Sequence, residues 1–239
     1  MLFTGIACVS INAQKPLKKP QKRLHKTQAD TIVVTRLDDK IYPVKSLTVS
    51  GTINGHGYVD LGLSVKWATC NVGASQPSDY GYYFAWGETS PKSIYSETNS
   101  VTNKKNIGDI SGNSRYDAAR ANWGSTWRLP TIVEIEELEK KCKIRGGIYN
   151  GHKGHIVTGP NGNSIFFPAT GYRDGSSLKY VGACGRYWTS SPIQATADEY
   201  AEYFSDQANI LTFFNLSNDI NALGNDYRFL GRPVRPVSK

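Results

Sequence analysis

The sequence predicts an α+β domain in which short antiparallel strands flank two central helices and long loops join them. Three observations carry this reading. Strand-like runs lie on both sides of two helix-like stretches in mid-chain, a distribution of α+β type. Glycine (23 residues) and tyrosine (14) are plentiful while methionine occurs once, which suits turns and strands better than a bundle or coiled coil. No apolar run reaches the roughly 20 residues a membrane-spanning helix needs.

Taken in order, residues 2–11 (LFTGIACVSI) are mostly apolar and lead through Ile11-Asn12-Ala13 to polar Gln14. Residues 1–13 therefore read as a secretory signal cut after Ala13, although no basic segment precedes the apolar run. The alternative is a lipid-anchored cysteine at Cys8. Residues 14–50 read as a basic linker containing one short strand at 31–37 (TIVVTRL). All six basic residues before Asp30 fall in this amino-terminal part, with no acid among them. The formal charge of +8 thus drops to +2 for the remainder, 22 basic against 20 acidic residues. A nucleic-acid-binding domain carries its positive charge on the folded face, so no nucleic-acid partner is expected.

The main domain is expected over residues 51–239. Val59, Leu61, Leu63, Val65 and Trp67 alternate with polar or small residues, the pattern of a strand or tight hairpin. Residues 81–86 (GYYFAW) form a second strand-like run, and residues 90–112 read as a long loop. Ser114 with Asp117 three positions on predicts the start of a helix that carries Tyr116, Ala119 and Trp123 on one face and ends at Gly124. A second helix follows Pro130, opened by a Thr131/Glu134 capping box, with Ile135, Leu138 and Cys142 on its apolar side. Glu136/Lys140, Glu137/Lys141 and Glu139/Lys143 are favourably ordered pairs four apart. Strands are then expected at residues 164–167, 186–189, 200–204, 210–214 and 234–237.

Catalytic signatures are missing from the sequence: there is no nucleotide-binding glycine loop, no HExxH and no GxSxG. His152 and His155 fall in a glycine-rich stretch (GHKGH) that reads as a loop, and Glu134, Glu136, Glu137 and Glu139 read as a solvated helix face. Beyond Cys8 three cysteines remain. Cys70 follows a strand-like run and Cys142 sits on a helix, so a Cys70–Cys142 disulfide with Cys184 free is one expectation. Three small buried thiols are the other. Between residues 206 and 227 five asparagines and three aspartates are interleaved with Phe213, Phe214 and Tyr227. This composition fits surface loops, and equally a recognition surface in which amides give hydrogen bonds and aromatics give rigid contact area.

Several strings occur in order: residues 57–73 (GYVDLGLSVKWATCNVG), 83–88 (YFAWGE), 127–131 (WRLPT), 168–173 (PATGYR), 185–191 (GRYWTSS) and 233–237 (PVRPV). Together they resemble the Fibrobacter-type major paralogous domain from about residue 51 to the end. That resemblance implies a C-type-lectin-like fold whose first and last strands pair, setting residues 234–237 beside 59–67. The chain is also similar in its carboxy-terminal framing to the variable proteins of diversity-generating retroelements. By that analogy Asn215, Asn218, Asn221, Asn225, Asp226 and Tyr227 are the contact residues. Formylglycine-generating enzymes share the Arg128-Leu129-Pro130-Thr131 string but use two late cysteines, where this chain has Cys184 alone. Lectin calcium triplets have no counterpart: Gln76-Pro77 continues as Ser78, and Trp188 as Thr189-Ser190.

The expected protein is a non-catalytic binding module without cofactor or metal, secreted or held at the cell surface (periplasmic or outer-membrane associated in a bacterium). Its partner would be an extracellular protein or glycan. The alternatives are an accessory subunit of a surface fibre and an oxidase acting through Cys184.

Overall fold

A computed structural model describes residues 33–35, 41–43, 47, 49–193, 205–214 and 223–239. The expected signal, Cys8, the linker at 14–30 and the strand at 200–204 lie outside the described residues. Mostly short antiparallel strands and two α-helices make up the described part. None of its helices is long and apolar enough to cross a membrane.

The strand expected at 31–37 is β1 (Val33–Thr35), which pairs with β2 (Ile41–Pro43). Next, β3 (Gly51–Ile53) and β4 (His56–Val59) form a hairpin closed by Asn54 and Gly55, whose φ values of 47° and 79° meet the demand of a two-residue turn for left-handed backbone. The alternation from Val59 to Trp67 is the tight hairpin of the two expected forms and not one strand, with Val59 opposite Trp67 in antiparallel pairing. The chain turns through Gly62 (φ 74°) and enters β5 (Lys66–Ala68), while Val59, Leu61, Val65 and Trp67 are all buried. The run at 81–86 is likewise no strand. Only Phe84 is bridged, to Arg232, and the four side chains from Tyr83 to Trp86 are all buried.

Helix α1 (Ala118–Trp123) is capped by Asp117 and not by Ser114. The Asp117 carboxylate accepts from the N–H groups of Ala119 and Arg120, and also from Gly112 and Leu129 across the loop. Helix α2 (Ile132–Lys141) opens with the expected reciprocal box: Glu134 N–H donates to the Thr131 hydroxyl and Thr131 N–H to the Glu134 carboxylate. Lys140 and Lys141 pair with Glu136 and Glu137. Glu134 and Glu137 are not a solvated face. Glu134 is ion-paired to Arg128, and Glu137 accepts from Ser64 N–H and hydroxyl, which ties α2 to the turn before β5.

The stretch read as a loop around GHKGH is a hairpin of β6 (Lys143–Tyr149) and β7 (His152–Thr158), closed by Asn150-Gly151 with φ values of 47° and 80°. His152 and His155 point to opposite faces of β7, one edge-on to Tyr80 and the other stacked on Phe213. With β8 (Ser164–Pro168) they form the sheet β2-β1-β6-β7-β8. A small hairpin follows, β9 (Tyr172–Asp174) with β10 (Ser177–Lys179). Then β11 (Cys184–Pro192), β12 (Gln207–Phe214) and β13 (Leu223–Tyr227) form a three-stranded sheet with β13 outermost. Finally β14 (Val237–Ser238) pairs with β5, so the end of the chain closes beside residues 66–67.

Two apolar cores hold these layers. Ile135 and Leu138 of α2 pack with Val59, Trp67, Val157, Phe167, Tyr187, Leu211 and Phe213. On the other side of β11–β12, Trp188 and Ile210 pack with Trp86, Trp123, Trp127 and Leu129. Strands β11 and β12 are therefore packed from both faces, and β13 is carried on β12 as the exposed edge.

The expected Cys70–Cys142 disulfide is not formed; Cys70, Cys142 and Cys184 are free thiols. The reason is the pleat of the β6–β7–β8 sheet. Cys142 packs with Ile144 and Val157 on one face, while Cys70 lines a cavity with Tyr149 and Phe166 on the other.

Candidate functional site

Of the expected contact residues, Asn225, Asp226 and Tyr227 are described and all lie on β13. Asn215, Asn218 and Asn221, on the connection from β12, lie outside the described residues. Because side chains alternate along a strand, the three consecutive residues do not share a face. Asn225 is exposed, as is Tyr227 at 46%, and the Tyr227 ring rests on Phe229 with centroids 5.6 Å apart. Asp226 turns inward over the opposite face, where its side chain is 13% exposed.

Inward, Asp226 ends a chain of charges and rings. Its Oδ2 accepts from Arg186 Nη1 of β11 at 2.9 Å and from Arg232 Nη2; its Oδ1 accepts from Tyr227 N–H. The Arg232 side chain is fully buried. Burial pushes its guanidinium down to about 10, against the pull of Asp226, and it stays charged at neutral pH. Both guanidiniums lie over the ring of Tyr172 on β9, Arg186 at 5.3 Å and Arg232 at 4.8 Å, and Arg232 also faces Trp188. Such stacking replaces part of the hydration that a buried cation loses. Tyr172 in turn stacks on Tyr180, with centroids 5.7 Å apart.

Two further arginines lock the scaffold around this cluster. Arg228 lies over Trp86 at 4.4 Å and donates to the carbonyls of Gln207, Thr102 and Lys105, which pins the long loop to β12. Arg235, within the PVRPV string, donates to Asn71 Oδ1 and to the carbonyls of Ala68, Thr69 and Phe166. The loop expected at 90–112 is irregular apart from one 3-10 turn, Glu97–Asn99. It is held all the same: Glu88 accepts from Val101 N–H and Lys92 Nζ, and Tyr95 bridges to Gly175 of the β9–β10 turn.

The arginine–tyrosine cluster went unread in the sequence. Its only signal was the spacing of Arg228, Arg232 and Arg235 among apolar residues near the end of the chain. A concavity of about 280 Å³ lies elsewhere, across the β6–β8 sheet, lined by Leu47, Val49, Cys70, Tyr149 and Phe166 among others. Cys184 is buried beneath the Tyr180 turn. Among the described residues no three His, Cys, Asp or Glu side chains converge as metal ligands.

No family model, curated protein or solved structure matches the chain.

Proposed function

We propose that the protein is an exported, non-catalytic binding module of C-type-lectin-like architecture that presents the β13 edge to a protein or glycan outside the cell. The observation that carries this reading is the division of labour on β13. Asn225 and Tyr227 face solvent from a strand whose inner face is fixed by the Arg186–Asp226–Arg232 pairs. A rigid aromatic with a neighbouring amide, set on a preorganised strand, loses little entropy on binding. The pairing of β14 with β5, the two helices and the anchored long loop are consistent with a lectin-like arrangement. On this reading Asn215, Asn218 and Asn221 also belong to the contact surface.

The test is binding of the full chain to a combined glycan and surface-protein array, with and without EDTA. A hit that survives EDTA and disappears when Asn218, Asn221, Asn225 and Tyr227 are replaced by Ala supports a metal-independent receptor surface. Absence of any hit would turn the search to fibre subunits from the same cell. A near-copy of the DNA that encodes this stretch, lying close to the gene, would support diversification of the surface.

A further inference from the structure

We infer that the concavity across the β6–β8 sheet is a binding site for a small uncharged aromatic molecule that carries a hydroxyl. The inference goes beyond the receptor reading and does not depend on it, since none of the described residues lining the cavity comes from β13.

The first argument is size, access and rigidity. Folded interiors are closely packed, and few of their voids exceed a water molecule. This cavity measures about 280 Å³. An interior cavity of about 150 Å³ with apolar walls already holds benzene. The space is reached from outside, because Val49 at its rim is 55% exposed and Ser75 is exposed as well. Its walls are fixed in advance. Tyr149 and Phe166 line it as a tilted ring pair with centroids 5.5 Å apart, packed with Ile156 and Leu47. Val59 and Ile165 reach it from the core beneath α2. The turn that carries Ser75 and Pro77 is tied down: the Asp79 carboxylate accepts from the N–H groups of Ser75 and Gln76, and Ala74 N–H donates to the Asn71 carbonyl. A concave site built before its ligand arrives spends little on ordering itself.

The second argument is the chemistry of the lining. None of the described residues around the cavity carries a charge. A charged ligand would give up its hydration there without a partner, so a neutral one is selected. Two aromatic rings among aliphatic neighbours favour a third ring, which gains edge-to-face or offset contacts beyond the area it buries. The polar part of the wall consists of Thr69, Cys70, Ser75 and Ser164. Thr69 donates its hydroxyl hydrogen to the Gly57 carbonyl at 3.2 Å, which leaves its oxygen as an acceptor. A hydroxyl on the ligand is the matching donor. Cys70 stands next to it, with Sγ 3.5 Å from the Thr69 hydroxyl oxygen. A ring held at this wall therefore lies against the thiol and shields it.

The experiment titrates the full chain at pH 7 with p-cresol and with benzyl alcohol, and in parallel with benzoate and with cyclohexylmethanol. Binding is followed by ligand-observed NMR and by the rate at which iodoacetamide alkylates Cys70 in the native protein. The expected result is saturable binding of at least one aromatic alcohol, more than tenfold weaker for benzoate and severalfold weaker for cyclohexylmethanol. Alkylation of Cys70 should slow severalfold at saturation. Cys70→Phe fills the cavity from its wall and Val49→Trp obstructs its mouth, and each should weaken binding more than tenfold. Val49 is exposed, so its variant remains informative should Cys70→Phe fail to fold. Absence of saturable binding by both aromatic alcohols would overturn the assignment. So would equal affinity for benzoate or cyclohexylmethanol, binding that leaves Cys70 alkylation unchanged, or indifference to Val49→Trp. The receptor reading is judged separately, by array hits that depend on Asn225 and Tyr227 and persist in the Val49→Trp variant.

Discussion

Asp226→Ala separates a contact residue from a structural one. The substitution leaves the fully buried Arg232 and the nearly buried Arg186 without the carboxylate they share. Breaking a buried pair by removing one partner costs about 3–5 kcal/mol, because the remaining charge stays desolvated. For a domain of this size each kcal/mol corresponds to roughly 2–4 °C, so the unfolding temperature should fall by about 6–20 °C. The assay is thermal unfolding followed by circular dichroism at pH 7, with Asn225→Ala and Tyr227→Ala alongside. Asn225→Ala should stay within about 0.5 kcal/mol of wild type, as exposed sites do. Tyr227→Ala gives up its stacking on Phe229, about 1 kcal/mol. Adding Arg232→Met to Asp226→Ala should cost less than the two singles together, since the orphaned cation is gone. An Asp226→Ala variant melting within 2 °C of wild type would refute the reasoning and return Asp226 to the ligand surface.

Other sites offer independent checks. Asp117→Ala strips the cap from α1 and leaves the Gly112 and Leu129 N–H groups without their acceptor. At about 1–2 kcal/mol for the cap and a similar amount for each stranded donor, a loss of at least about 3 kcal/mol should appear in urea unfolding. Thiol labelling of the native protein should reach Cys70 first, Cys142 more slowly, and Cys184 only after unfolding. Burial pushes the Cys142 thiol up to about 11, and Cys184 is buried. With its thiol raised by burial, Cys142 carries much less thiolate near pH 8, so peptide mapping after brief alkylation is a direct test. Because no disulfide joins the three described cysteines, a reductant should leave the unfolding midpoint unchanged.

What the sequence determined by itself is what depends on a few neighbouring residues. The Thr131/Glu134 box, the Glu136/Lys140 and Glu137/Lys141 pairs of α2 and the stop at Gly124 need only one or two helical turns, and the structure has them. The Asn-Gly pairs at 54–55 and 150–151 carry equally local information. The second was read as part of a loop because the glycines and histidines around it blurred the period of two. The alternation from Val59 to Trp67 correctly marked buried residues, but burial recurs every second residue across a tight turn as well as along a strand. Asp117 displaced Ser114 as the cap because its carboxylate serves Leu129 as well as the helix, and that contact spans twelve residues. The role of Asp226 was decided still further away, by the register of β13 on β12 and by Arg186 forty residues earlier. Period two assigns neighbours on a strand to opposite faces, but which face meets two buried arginines is set by packing between distant segments. The tertiary structure alone therefore turned Asp226 inward, left Asn225 and Tyr227 outside, and brought Tyr172, Arg186 and Arg232 together. Free energies of that kind come from desolvation and pairing across the fold, and no stretch of neighbouring residues encodes them.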